Sequence, residues 1–411
     1  LDKLTDKYEI FTSKKIKDSK IMKNINGNAN FSIGQDNIMK YDFSLDGVST
    51  SELSSIMDSM HMKKKYHRLK NGDLIDLRHN DTLENIDKLA ADMDLSEKEL
   101  LGGEIPKYRA IYYDSLKNRY GNIIRTNNLF DDLVMNFKKY KDAEINLSKE
   151  EMAVLRDYQK TGVKWLYNIY KTGFGGILAD EMGLGKSIQL IYLIKLLVRE
   201  KADAKILIVA PTSLVYNWKK EFDKFGSDIK YGVFAEGRAE RRALLNDSDD
   251  INVYITTYGL VRNDLDEYSN INFDLVAIDE AQNIKNASTL VTKAVKSLNA
   301  RVKIALTGTP LENSVMELWS IFDFIMPGYL ANSKKFKSLY NIGDVDDESL
   351  KKLNNLNLQI NNFILRRRKS DVAKDLPDKI YNNIYVYFGA EQKKLYMAQV
   401  QKTKEEMQEM M

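Results

Sequence analysis

From about Leu155 onward, short apolar runs alternate with helical patterns along the chain. Gly176-Ile177-Leu178-Ala179 leads into a glycine-rich turn, and an apolar helix is predicted from about Ser187 to Val198. Lys205 to Ala210, Val253 to Thr256, Leu275 to Ile278 and Lys303 to Leu306 have the near-continuous hydrophobicity of strands buried on both faces. Such alternation predicts an α/β fold with a parallel sheet flanked by helices, whose ligands gather at the carboxyl ends of the strands. Residues 311–376 read as mostly helical, with a turn at Pro327-Gly328. Leu376-Pro377 breaks that pattern, Ile380 to Phe388 reads as a further strand, and a charged helix closes the chain.

Residues 1–150 have a different texture. Strands are predicted at Ile38 to Leu45 and Asp73 to Leu77, and a helix at Leu53 to His61. Asn26-Gly27-Asn28 and Asn71-Gly72-Asp73 read as turns. The region is expected to be a small α+β accessory unit of no legible function.

Composition narrows the function classes. In 411 residues, 43% are hydrophobic and 29% charged, with a formal net charge of only +3. Any nucleic-acid contact must therefore come from local patches. Lys63-Lys64-Lys65 and Arg366-Arg367-Arg368-Lys369 are the short basic runs. There is no cysteine, which excludes disulfides and thiolate metal sites and fits a cytoplasmic protein. His61, His67 and His79 match no zinc spacing. No apolar run is long enough for a membrane span. The chain opens on Leu1 rather than methionine, so a fragment or processed form is expected.

The chemistry follows the strands. Gly183-Leu184-Gly185-Lys186-Ser187 opens a helix after a strand. Glycines let backbone N–H groups point inward at a triphosphate, and the helix N-terminus adds its dipole. Lys186 is expected to meet the β- and γ-phosphates of ATP, and Ser187 to hold Mg²⁺. A strict phosphate loop wants glycine where this chain has Asp180. Leu275 to Ile278 ends in two adjacent carboxylates, Asp279 to orient Mg²⁺ and Glu280 to position and deprotonate the attacking water. Leu306-Thr307-Gly308-Thr309-Pro310 follows another strand, and its hydroxyls are candidates to link the γ-phosphate site to a nucleic-acid groove. Gln159, upstream, offers both an amide donor and an acceptor for an adenine edge. Thr212 and Thr257 follow two further strands and are candidates for contact with DNA backbone phosphates. Taken singly, each of these last loops reads more readily as a plain or capped turn than as a site.

In order, the chain reads LRDYQKTGVKWL, GGILADEMGLGKSIQ, ILIVAPTSLVYNWKKEF, VYITTYGLVRND, FDLVAIDEAQNIKN, KIALTGTPLENSVMELWSIFDFIMPGYL and FILRRRKSDV. Over about residues 151–380 this resembles the first lobe of the SWI/SNF-type helicase-like ATPases of superfamily two, in their bacterial branch. The resemblance implies a RecA-like ATP-binding lobe, with a helical protrusion over about 311–376. It makes Asp180 part of the family's own phosphate-loop variant, together with Gly183, Leu184 and Gly185. It assigns Gln159 to adenine, Lys186 and Ser187 to phosphates and magnesium, and Asp279 and Glu280 to metal and catalysis. It also assigns Gln282 to sensing the opposite lobe, and Thr307, Gly308 and Thr309 to coupling. It implies ATP-driven movement along double-stranded DNA at the nucleoid, displacing or remodelling a bound protein such as a polymerase or nucleoid protein. Such a motor needs a second lobe in the same chain, and residues 381–411 resemble only its opening. A lone lobe is therefore expected to turn over weakly or not at all. A nucleotide-gated binding module, or a translocating subunit of a restriction system, remains open as an alternative.

Overall fold

The computed structural model describes residues 20–36, 38–78, 80–141, 144–246, 250–308, 315–340, 346–372 and 384–409. Thr309 and His79 lie outside the described residues. The chain divides after Arg368 into two compact units.

The accessory region contributes two small sheets to the first unit. β1 (Ile21–Met22), β4 (Tyr66–Arg68) and β5 (Leu74–Asp76) form one, in the order β1-β5-β4. β2 (Gly27–Ile33), β3 (Ile38–Leu45), β6 (Gly103–Pro106) and β7 (Ile124–Thr126) form the other, in the order β6-β3-β2-β7. The strand at Ile38–Leu45 and the helix at Leu53–His61 match the sequence pattern. Asn26-Gly27-Asn28 does not form a turn. Gly27 and Asn28 open β2, pairing with Leu45 and Ser44, because the alternation that follows buries Ala29, Phe31 and Ile33 on one face.

The second sheet system is the one the apolar runs predict. β8 (Gly176–Leu178), β9 (Ile206–Ala210), β10 (Tyr231–Val233), β11 (Val253–Thr257), β12 (Phe273–Ile278), β13 (Ala300–Leu306) and β14 (Ile364–Leu365) form a seven-stranded sheet. Its order is β10-β11-β9-β12-β13-β8-β14, and every pairing is parallel. β9 and β11 are buried at every position, as strands covered on both faces by helices must be. The expected α/β lobe, preceded by a small α+β region, is therefore present. The stretch expected to be helical does hold helices at Val315–Ile325, Ser333–Tyr340 and Asp347–Ile360, but it also supplies β14, which pairs with β8.

Accessory region and lobe share one hydrophobic core. Phe137 of the accessory region meets Phe174 and Phe363 at ring separations of 5.3 and 5.9 Å. Arg109 Nε donates to the Tyr329 carbonyl at 2.7 Å, and Lys335 pairs with Glu99 at 3.2 Å.

In the second unit, residues 384–388 are not a strand. Ile384, Tyr385, Val386 and Tyr387 are each more than four-fifths exposed, and a strand pattern needs a partner edge to become one. The closing helix is Ala390–Glu409. Among the described residues, no helix is long and apolar enough to cross a membrane.

Candidate active site

Sheet order explains how residues far apart in sequence meet. β12, β13 and β8 are neighbours, so the segments leaving their carboxyl ends lie side by side: Asp279-Glu280, Thr307-Gly308 and the glycine loop. A cleft of about 380 Å³ opens there, lined among others by Met182, Gly183, Gly185, Lys186, Ser187, Trp218, Asp279 and Glu280. A larger cavity of about 520 Å³ lies elsewhere, against Trp165, Asn168 and Arg366, and holds none of these groups.

The loop is shaped to approach a ligand closely. Gly183 and Gly185 have φ of 85° and 76°. A Cβ on Gly185 would meet Gln159 Nε2 at 2.6 Å and Ile188 Cγ2 at 2.9 Å, so only glycine turns the chain here into the helix Lys186–Glu200. Lys186 is the first residue of that helix, and its Nζ donates to the Asp180 carbonyl at 2.9 Å. Burial pushes its pKa down, opposed by Glu280, Asp279 and Asp180. A cation so placed, with helix N-terminal amides beside it, suits a polyphosphate.

Asp279 is 8% exposed. Its pKa is raised by burial, against which a hydrogen bond from Trp218 acts. Trp218 Nε1 donates to Oδ2 at 2.9 Å, the Glu280 amide donates to Oδ1 at 2.9 Å, and Tyr258 Oη donates to the Asp279 carbonyl at 2.6 Å. A buried carboxylate facing a second carboxylate and a lysine is the chemistry a divalent cation would complete. Asp279, with Ser187 on the same cleft, is the candidate holder of a Mg²⁺ ion brought in with a polyphosphate.

Glu280 has φ 50° and ψ 60°, a conformation that costs a non-glycine residue roughly 1–3 kcal/mol. It starts the short turn Ala281–Ile284, which brings Gln282 back over it. Gln282 Nε2 donates to Glu280 Oε2 at 2.7 Å, and Gln282 Oε1 accepts from Thr307 Oγ1 at 3.1 Å. A continuous hydrogen-bonded path thus joins Thr307 to Glu280 within this lobe. Gly308 lies against Met182, where a Cβ would come within 2.8 Å of Cγ.

Other sequence candidates have definite surroundings. Gln159 uses both ends of its amide: Oε1 accepts from the Arg156 N–H at 3.0 Å, and Nε2 donates to the Leu184 carbonyl at 3.2 Å. It therefore braces the loop directly. The Asp180 carboxylate is fully buried and is bound by Arg367, so it is the carbonyl of this residue that faces Lys186. Thr212 is exposed at the start of a short helical turn after β9. Thr257 is 5% exposed, and its hydroxyl accepts the Leu260 N–H at 3.3 Å as the cap of Tyr258–Asn263. Sequence reasoning passed over Trp218, Tyr258 and Arg367. Only Arg367 carried a hint, as one member of a basic run, because the partners of all three are distant in sequence.

The SNF2-related domain profile matches residues 158–410, more than half of the sequence. This chain belongs to the SNF2-related family. A second profile, described as bacterial SNF2 helicase associated, matches residues 1–147, in agreement with the expected bacterial branch. An uncharacterized ATP-dependent helicase of Mycoplasma pneumoniae is 38% identical over 298 residues, which cover 71% of this chain and 28% of that protein. The putative ATP-dependent helicase/translocase YwqA of Bacillus subtilis is 38% identical over 264 residues, covering 63% of this chain and 29% of that protein. The chain thus spans less than a third of the length of either relative. A solved Sulfolobus solfataricus SWI2/SNF2 ATPase core in complex with dsDNA is 39% identical and aligns over 60% of this chain and 52% of that one, with a TM-score of 0.49.

Proposed function

We propose that this chain is the ATP-binding lobe of a DNA-stimulated ATPase that moves along double-stranded DNA and displaces or remodels proteins bound to it. The observation that carries the reading is the convergence of the glycine loop, Asp279-Glu280 and the Thr307–Gln282–Glu280 path at one end of the sheet. Membership of the SNF2-related family and the helicase and translocase names of its relatives support it.

In the proposed reaction, water attacks the γ-phosphorus of ATP and the bond to the β–γ bridging oxygen breaks, leaving ADP and inorganic phosphate. Glu280 orients that water and takes its proton. Lys186 and the loop amides hold the β- and γ-phosphates. Ser187 and Asp279 would hold Mg²⁺, which would supply charge neutralisation. Gln159 shapes the adenine side of the loop. Gln282 and Thr307 relay the state of the γ-phosphate site to the DNA-facing edge, with Gly308 giving the backbone room and Thr309 assigned to the same motif. Thr212 and Thr257 contribute backbone-phosphate contacts, Thr257 through the hydroxyl proton that remains while its oxygen caps the helix Tyr258–Asn263.

We assign residues 1–150 to an accessory domain, 151–380 to the motor lobe and 381–411 to the opening of a second lobe, and we expect the protein to work at the nucleoid. The test is hydrolysis and DNA binding together. DNA affinity is expected to be indifferent to sequence and to fall steeply with salt, measured by anisotropy with competitor duplexes. Marked preference for one duplex sequence would argue against backbone-only contact. ATP binding with no DNA response from any longer protein carrying the chain would favour a nucleotide-gated binding module.

A further inference from the structure

The chain leaves the first unit through β14, which pairs with β8, the strand that feeds the glycine loop. The backbone ladder continues past both strands: the Ala179 amide donates to the Leu365 carbonyl at 2.7 Å, and the Glu181 amide to the Arg367 carbonyl at 3.0 Å. At its end lies a buried polar cluster that the proposed chemistry does not use. Arg367 Nε donates to Asp180 Oδ1 at 2.8 Å, and its Nη2 donates to Asp180 Oδ2 and to Gln189 Oε1, the latter at 2.7 Å. Nη1 donates to the Tyr158 carbonyl, and the guanidinium lies 5.3 Å from the Tyr158 ring centroid. Gln189 Nε2 closes the cluster by donating to Asp180 Oδ2 at 3.1 Å and to the Gly185 carbonyl at 3.2 Å. The approach is close enough that a Cβ on Gly162 would stand 1.7 Å from Gln189 Oε1 and 2.8 Å from Arg367 Nη2.

The cluster therefore grips both ends of the phosphate loop. It holds Asp180, whose carbonyl accepts Lys186 Nζ, and through Gln189 it holds Gly185, where the loop becomes helix. We propose that Arg367 is a positioning residue for nucleotide binding: a latch through which the segment leaving the lobe sets the shape of the phosphate loop. This rests on the ATP-binding reading of that loop. A guanidinium fork matches the two Asp180 oxygens and two further acceptors at once, and a lysine ammonium cannot reproduce that planar arrangement. Pulling β14 away from β8 would therefore move Asp180 and relax the loop. The proximity of a latch to the exit makes nucleotide affinity sensitive to whatever the following chain does.

The test uses Arg367→Lys, which keeps the charge, and Asp180→Asn, which keeps the shape and carries the test if the first variant does not fold. MgATP affinity is measured by titration well below each variant's unfolding midpoint, and hydrogen exchange is followed at the amides of residues 183–187. Both variants are expected to bind MgATP about tenfold more weakly, the equivalent of about 1.4 kcal/mol, and to exchange faster across the loop. A folded variant with unchanged affinity and unchanged loop exchange overturns the latch, and so does a loss confined to the unfolding midpoint. If the unsubstituted chain bound no MgATP, the ATPase reading would fall on its own; faster loop exchange in Arg367→Lys would still support the mechanical latch, and unchanged exchange would remove it as well.

Discussion

Replacing Trp218 with phenylalanine keeps a ring in the core and removes one hydrogen bond. Trp218 is 2% exposed and packs beside Phe222, so a phenyl ring occupies most of the same space. What is lost is the Nε1 donor to Asp279 Oδ2 at 2.9 Å, leaving the Glu280 amide as the remaining donor described at that carboxylate. A hydrogen bond to a charged group contributes about 1.5–3 kcal/mol, and its loss at a buried carboxylate carries that group's desolvation with it. The smaller ring removes about 1 kcal/mol more of packing. Trp218→Phe is therefore expected to destabilise the fold by about 2.5–4 kcal/mol, measured by urea unfolding followed by circular dichroism, with the denaturant slope unchanged. A cycle with Asp279→Asn isolates the pair from the packing change, because the packing term cancels. MgATP affinity is expected to fall as well, because the carboxylate assigned to the metal loses its fixed orientation. A variant within about 0.5 kcal/mol of the parent, with unchanged MgATP affinity and no coupling in the cycle, would show that Trp218 does not hold the Asp279 carboxylate.

The remaining predictions concern separate parts of the structure. Lys186→Ala removes the cation assigned to the phosphates, and calorimetric titration is expected to show nucleotide triphosphate binding abolished; retained affinity would reassign the loop. Glu280→Gln preserves size and the hydrogen bond from Gln282, so binding is expected to persist while turnover disappears in any active form of the protein. Glu151 is held well below the usual carboxylate range, at about 2, chiefly by its hydrogen bonds from Arg199. Its contribution is therefore complete above its ordinary value of 4.5 and lost as pH falls from there towards 2. With Arg199 partly exposed, the contribution is about 1–2 kcal/mol after screening. The stability gap between the parent and Glu151→Gln should be open at neutral pH and close across that window, and a gap independent of pH would sink the assignment.

Much of the lobe was legible because its strands are buried on both faces. Runs such as Ile206–Ala210 and 275–278 have no solvent side to alternate with, so hydrophobicity alone marks them. Tyr231–Val233 escaped because it is a three-residue edge strand, half-buried throughout, and Ile364–Leu365 because two residues carry no period. Residues 384–388 illustrate the converse, since a strand pattern without a partner edge stays irregular. At the site, residue types and their order along the chain are enough to point to Lys186, Ser187, Asp279 and Glu280. Supports such as Trp218 on Asp279 and Arg367 on Asp180 were hidden because each depends on a contact between distant segments, and Gln159 was legible as a site residue but not as a brace on Leu184. Thr257 caps a helix through its hydroxyl oxygen, a role that the sequence does not separate from a phosphate contact, since both call for the same residue type at the same place.

If the convergent ends of β8, β12 and β13 form an ATPase site, its hydrolysis should respond to DNA. The most direct measurement is steady-state ATP hydrolysis with and without double-stranded DNA, made on this chain and on a longer protein in which it is joined to a second lobe. The rate is expected to rise with DNA in the longer protein, with little or no turnover by this chain alone. Hydrolysis in the longer protein that ignores DNA, or no hydrolysis from either, would contradict this expectation.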